Sequence, residues 1–156
     1  MKEKKFIPRK GQTDFTNIRY TPVINCAVRY KGRILLVKRG AGMRLYPGYW
    51  NGVSGFLDDK KELKDKVREE LREELGLTKK QIVSMKLGTL LYQDAPKYKK
   101  TWLVLPVLVA INTDKVRLDW EGEEYGWFKP SGIKKLRLLP GFKETLESAR
   151  KARYIV

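Results

Sequence analysis

Glu70, Glu73 and Glu74 fall in one short stretch of the chain, where together they can hold a divalent cation. Wound at roughly 100° per residue, residues 63–75 put Leu63, Val67, Leu71 and Leu75 on an apolar stripe about 120° wide, as in a core-facing helix. Glu70 and Glu74 lie at the edge of that stripe, roughly 20° either side of Leu63, and Glu73 about 60° further round. Carboxylates gathered beside a buried face repel one another unless a cation intervenes. Their oxygens are hard ligands, which selects Mg2+ or Mn2+. The same residues also fit a solvated helix face with ordinary surface pairs, such as Lys66 with Glu70.

These carboxylates need elements to position them. Asp59 with Glu62 reads as an N-cap box, so the helix is expected over about 60–75, with Gly76 as its stop. A short strand over 50–56 leads into it. Upstream, 23–30 and 33–39 read as strands joined by a tight hairpin at Lys31-Gly32, followed by a glycine- and proline-punctuated loop over 40–49. Downstream, 83–92 and 101–111 read as strands. The second is apolar enough to be buried on both faces, with a bulge expected at Pro106. Residues 125–129 read as a short strand, and 141–153 as an amphipathic helix with Phe142, Leu146 and Ala149 inward. Residues 1–20 read as an extended, weakly ordered basic arm and 21–156 as one domain. Strands before, between and after two helices predict an α/β fold, an α/β/α sandwich around a mixed β-sheet.

Composition narrows the chemistry. The chain has no histidine, which excludes Ser-His-Asp, Cys-His and HExxH sites together. Its one cysteine, Cys26, sits in an apolar stretch and reads as a small core residue, so protein-ligated zinc and internal disulfides are excluded. A general base must then be a carboxylate, a lysine, a tyrosine or metal-activated water. No apolar run is long enough to span a membrane and the N-terminus lacks an apolar signal region, so a cytoplasmic protein is expected. The net charge of +16 points to anionic partners, whether a substrate with several phosphates or a nucleic acid. Solubility or a heat-adapted usage of charge is the plainer explanation.

Residues 55–77 resemble the Nudix hydrolase family, whose pattern is G-x5-E-x7-R-E-U-x-E-E-x-G-U, with U aliphatic. Gly55, Glu70, Leu71, Glu73, Glu74, Gly76 and Leu77 match in register. Lys61 stands where the first Glu is usual, with Glu62 one place later. Glu69 stands where the Arg is usual, with Arg68 one place earlier, so Arg68 or Arg72 would have to take over its role.

The resemblance implies the same sandwich and a metal site of Glu70, Glu73 and Glu74, with the Gly55 carbonyl as a further ligand. It also implies a later acid as base or ligand, for which Glu121 is preferred over Glu123 and Glu124. Glu73 and Glu121 are the residues assigned to catalysis. Lys38, Arg39 and Arg44 are candidates for holding phosphates, and Tyr46, Tyr49, Trp50 and Tyr92 for stacking on a base. Each of these also reads as surface charge or packing. Isopentenyl diphosphate isomerase chemistry is excluded, because no cysteine stands near 50–54.

The implied activity is Mg2+-dependent hydrolysis of the pyrophosphate linkage in a nucleoside diphosphate joined to another moiety. Removal of a 5′ pyrophosphate or cap from RNA is the alternative. An inactive, basic nucleic-acid-binding module is the alternative of another class. The sequence leaves open both the nucleotide and whether the chain forms a homodimer.

Overall fold

The computed structural model describes residues 6–156, so residues 1–5 of the expected arm lie outside the described residues. The hairpin comes first: β1 (Tyr20–Tyr30) turns through Lys31 and Gly32, both at positive φ, into β2 (Arg33–Arg39). After the 40–49 loop, β3 (Trp50–Asn51) and β4 (Val53–Phe56) lead to the helix α1 (Leu63–Leu75). Then come β5 (Ile82–Leu87), β6 (Leu91–Ala95), β7 (Lys100–Ile111) and β8 (Gly122–Phe128). A one-turn helix α2 (Pro130–Ile133), the helix α3 (Phe142–Arg150) and β9 (Tyr154–Ile155) follow.

β1 and β7 are the apolar centre of the sheet and run parallel, from Tyr20 beside Thr101 to Arg29 beside Ala110. The other edge of β1 is shared by β4 and β2, both antiparallel. The other edge of β7 is likewise shared by β6 and β5. β8 lies outside β2, and β9 outside β5. Alternation along the strands sorts side chains to two faces. Ile24, Cys26, Val28, Val107 and Val109 pack with Val67, Leu71 and Leu75 of α1, while Ala27, Leu36 and Leu108 pack with Phe142, Leu146 and Ala149 of α3. Full burial of Val67, Leu71 and Leu75 contributes about 1.5–3 kcal/mol each. The expected α/β/α sandwich with a mixed sheet is what forms.

Four expectations are corrected. The helix begins at Leu63, and its N-cap, Glu62, makes no side-chain cap bond. Asp59 is occupied elsewhere, accepting from the Lys61 backbone N–H at 3.0 Å and facing Lys66 Nζ at 3.3 Å. The strand expected over 83–92 is two strands, broken at Gly88, whose close neighbour is Ser148 of α3. No bulge forms at Pro106. It pairs in register with Asn25, and its missing N–H falls where β5 gives way to β6, with the Gly88 N–H donating to its carbonyl at 2.9 Å. Finally, the described part of the arm is tied down. Gln12 Nε2 donates to Asp58 Oδ2 at 2.8 Å, and Lys100 Nζ donates to the carbonyls of Phe15 and Ile18. Among the described residues, no helix is long and apolar enough to cross a membrane.

Candidate active site

Gly55 and Glu70 meet first. Gly55 pairs with Ile24 in the β1–β4 ladder, and Glu70 leans across it from α1. A Cβ at Gly55 would lie 2.4 Å from the Glu70 carboxylate, so only glycine leaves room for that side chain. Burial, and then the nearby Glu73 carboxylate, push the Glu70 pKa up to about 7.

Glu74 projects into a small cleft formed with Val37, Arg39, Gly52, Asp119, Glu121 and Gly122. Three elements supply it. β2 brings Arg39, the turn before β4 brings Gly52, and the turn before β8 brings Asp119 and Glu121. The Glu121 N–H donates to Asp119 Oδ1 at 3.1 Å, and its carbonyl accepts from the Gly40 N–H at 2.9 Å, which fixes the turn against the 40–49 loop. The Glu74 and Glu121 carboxyls line the same cleft and influence each other electrostatically. Burial, with Glu121 next, holds Glu74 well above the usual carboxylate range. Burial raises Glu121 too, opposed by Glu74. Burial lowers the Arg39 pKa, while Glu121 works in the opposite sense. Glu123 and Glu124 are exposed and lie outside this cleft.

On the solvent side of Glu70, oxygens of Glu69, Glu70 and Glu73 all lie within 4.8 Å of one another. Glu69 is itself bound, because Lys61 Nζ donates to its Oε2 and Lys66 Nζ lies 3.9 Å from its Oε1. Lys66 is buried, and its principal partners are Asp58 at 3.1 Å and Asp59 at 3.3 Å rather than the Glu70 expected from helix spacing. Burial disfavours its charge, but Asp58, Asp59 and Glu69 together outweigh that and leave its pKa raised. Arg68 faces the other way, to Asp65 at 3.1 Å, and Arg72 is exposed. Neither takes the place of the missing Arg.

Of the phosphate candidates, only Arg39 lies in the cleft. Its Nε donates to the Leu45 carbonyl at 2.8 Å. Lys38 is the next residue on an alternating strand and follows Leu36 to the α3 face, so the structure does not bring it to the carboxylates. Arg44 is exposed on the loop and close enough to Lys100 to depress its pKa, after burial. Tyr46, at φ 50°, is engaged in packing. Its ring lies 4.8 Å from that of Tyr98, its N–H donates to the Tyr98 hydroxyl, and its own hydroxyl accepts from Trp102 Nε1 at 3.0 Å. Tyr49 lies under the Arg137 guanidinium at 4.0 Å, Trp50 packs edge-on to Phe128, and Tyr92 is exposed. Cys26 is fully buried and burial raises its pKa, consistent with a core thiol.

Asp119 beside the carboxylates escaped the sequence reading altogether, and Lys66 was read there only as a surface partner of Glu70. Lys66 was accessible to it, since the winding that grouped Glu70 and Glu73 puts Lys66 between them. Asp119 carries no such signal.

The carboxylates gathered at one point are Glu69, Glu70 and Glu73, and Glu74 stands apart from that group, but the surroundings of Glu70 and Glu74 suit a divalent cation. Glu74 Oε2 is buried without any hydrogen-bond partner, and Glu70 and Glu74 are both pushed toward their neutral forms, the condition a cation relieves.

The NUDIX domain family model matches residues 19–148. A nucleoside triphosphatase NudI from Klebsiella pneumoniae is 22% identical over 138 residues, covering 83% of this chain and 96% of that protein. The MutT protein from Methanosarcina mazei shares the fold with a TM-score of 0.70 at 22% identity, over 86% of this chain and 96% of its own. A bifunctional NMN adenylyltransferase/ADP ribose pyrophosphatase from Francisella tularensis does so with a TM-score of 0.72 at 17% identity, over 85% of this chain and 41% of its own.

Proposed function

The chain belongs to the NUDIX family and is a Nudix hydrolase, and from that premise we propose that it hydrolyses the pyrophosphate linkage of a nucleoside diphosphate joined to another moiety, with Mg2+ or Mn2+ bound. Glu70, Glu73 and Glu74 would hold the cation, with the Gly55 carbonyl as a further ligand. When bound, it neutralises phosphate oxygens and makes water more acidic. The observation that carries this reading is the buried, unpartnered Glu74 oxygen in a cleft shared with Glu121 and Arg39.

The chain's own groups then divide the work. Glu121, in the same cleft as Glu74 and raised by burial, would take and hold the proton of the attacking water. Glu73, exposed at the mouth of the acidic group, is a second carboxylate in reach of the reacting phosphate. Arg39 contributes a fixed positive charge beside Glu121, where anionic oxygens collect. Water adds its oxygen to one phosphorus. The bridging oxygen leaves on the other phosphate and receives the proton, so two phosphate-bearing products result.

The +16 balance favours a second reading, removal of a 5′ pyrophosphate or cap from RNA. A panel of nucleoside triphosphates, nucleotide sugars, dinucleoside polyphosphates and 5′-triphosphorylated RNA, each with Mg2+, Mn2+ or EDTA, separates these. The NudI relative puts nucleoside triphosphates early in that panel. Metal-dependent cleavage of a nucleoside-diphosphate compound is expected. A chain inert across the panel with both cations refutes the reading and leaves the basic binding module.

A further inference from the structure

The two departures from the family pattern touch each other. The pattern has an acid at position 61 and a base at 69, and this chain has Lys61 and Glu69. Lys61, on the loop before α1, donates through Nζ to Glu69 Oε2 on the helix. The contact belongs to an alternating set. Lys61 also lies 3.7 Å from Asp59 Oδ2, and Lys66 joins Asp59, Asp58 and the second oxygen of Glu69. The Glu69 side chain is only 15% exposed, so without these cations a third uncompensated carboxylate would stand beside Glu70 and Glu73.

We propose that Lys61 and Glu69 are one compensated exchange: a pair with its charges reversed that fastens the loop 57–62, which follows Gly55 and β4, to α1 and so positions Glu70 and Glu73 for the cation. An exchange of sign preserves the attraction, because Coulomb energy depends on the product of the charges. It also changes the surroundings. With an acid at 69 the site needs a second cation close by, and Lys66 supplies it. Loop and helix are tied at both ends of this stretch, by Gly55 under Glu70 and by Lys61 on Glu69. Neither Lys61 nor Glu69 touches substrate in this account; both act through the carboxylates beside them. The inference rests on the metal-dependent hydrolase reading.

Four proteins test it: the parent, Lys61→Glu, Glu69→Arg and the double variant. Three quantities are read: the Mn2+ dissociation constant by isothermal titration, kcat and KM on the best substrate of the panel, and the melting temperature without metal. Each single reversal is expected to weaken Mn2+ binding by about tenfold or more, the scale of losing a residue that orients a ligand. It should lower kcat with KM changed less than about threefold, a split that simple destabilisation does not produce. The double variant keeps Asp58 and Asp59 for Lys66, and should recover to within about threefold of the parent. Lys61→Arg should match the parent. A double variant no better than the worse single overturns the exchange. If a reversal fails to fold, Lys61→Met and Glu69→Gln replace it. Their effects should then be non-additive, the double no worse than the worse single, and effects that multiply overturn the proposal. A parent that binds Mn2+ but cleaves nothing sinks the hydrolase reading alone, since the Mn2+ series still reports the exchange. A parent that binds no Mn2+ sinks both.

Discussion

Replacing Gly55 with alanine adds one methyl group at the point where strand and acidic helix touch. That carbon would sit 2.4 Å from both Cδ and Oε1 of Glu70. Ordinary contact begins near 3.5 Å, so the carboxylate must retreat by roughly 1 Å. The φ of Gly55 is not in the left-handed region, so the backbone accepts alanine and the push falls on Glu70. A misplacement of about 1 Å in a catalytic site costs on the order of 10²-fold, or about 2.7 kcal/mol of transition-state stabilisation. Stability should move far less. Alanine stabilises by about 0.4–1 kcal/mol through the unfolded chain, against the strain of moving Glu70, so Tm should stay within about 4 °C. The assays are kcat/KM with saturating Mg2+, Mn2+ titration and thermal melting by circular dichroism. Adding Glu70→Asp, which shortens the side chain by one methylene, should restore part of the Mn2+ affinity. A Gly55→Ala protein with kcat/KM within threefold of the parent and unchanged Mn2+ affinity would refute the claim that this contact sets Glu70.

Glu70→Gln or Glu74→Gln should each lower turnover by roughly two to four orders of magnitude while the metal-free protein melts at the same or a higher temperature, because repulsion is relieved. Near-normal turnover of both at saturating Mg2+ would place the site elsewhere. Glu70 is raised in the folded state from 4.5 to about 7. Its protonated form therefore contributes stability that is complete below about pH 4.5 and lost as pH rises through about 7. Melts in EDTA should fall from pH 5 to 8, and the gain on adding Mg2+ should grow over the same range; EDTA melts that climb across it contradict the assignment. Deleting residues 1–10 removes five basic residues and one acid but spares Gln12 and its bond to Asp58. Cleavage of a small nucleotide should keep kcat/KM within about threefold, a loss under 1 kcal/mol. Affinity for 5′-triphosphorylated RNA that grows with length, falls steeply with salt and drops on this deletion would favour the RNA reading.

Periodicity made the sandwich legible, because both helices bury a stripe and both central strands are apolar. The same winding set Glu70, Glu73 and Glu74 beside the buried stripe, and the missing histidine left a carboxylate, a lysine, a tyrosine or metal-activated water as the bases to consider. What escaped depends on contacts far apart in the chain. At the break, Ser148 of α3 occupies the space a side chain at position 88 would need. Tyr46 looks free on its loop until the Tyr98 hydroxyl and Trp102 indole claim it. Lys38 was misread despite a local signal, since alternation from Leu36 already sends it to the α3 face. The Lys61–Glu69 contact was invisible because each residue, scored alone, was a mismatch.

The bonds that Gln12 and Lys66 each donate to Asp58 bear on where this molecule can be cut. The stretch matched to the family begins at residue 19 and ends at 148. Trimming to those limits would free one oxygen of Asp58, uncover Lys100 where it meets Phe15 and Ile18, and remove the β9 strand that borders β5. Shared ancestry marks out a shorter protein than hydrogen bonding does, and the lysine that steadies the acidic helix depends on the longer one.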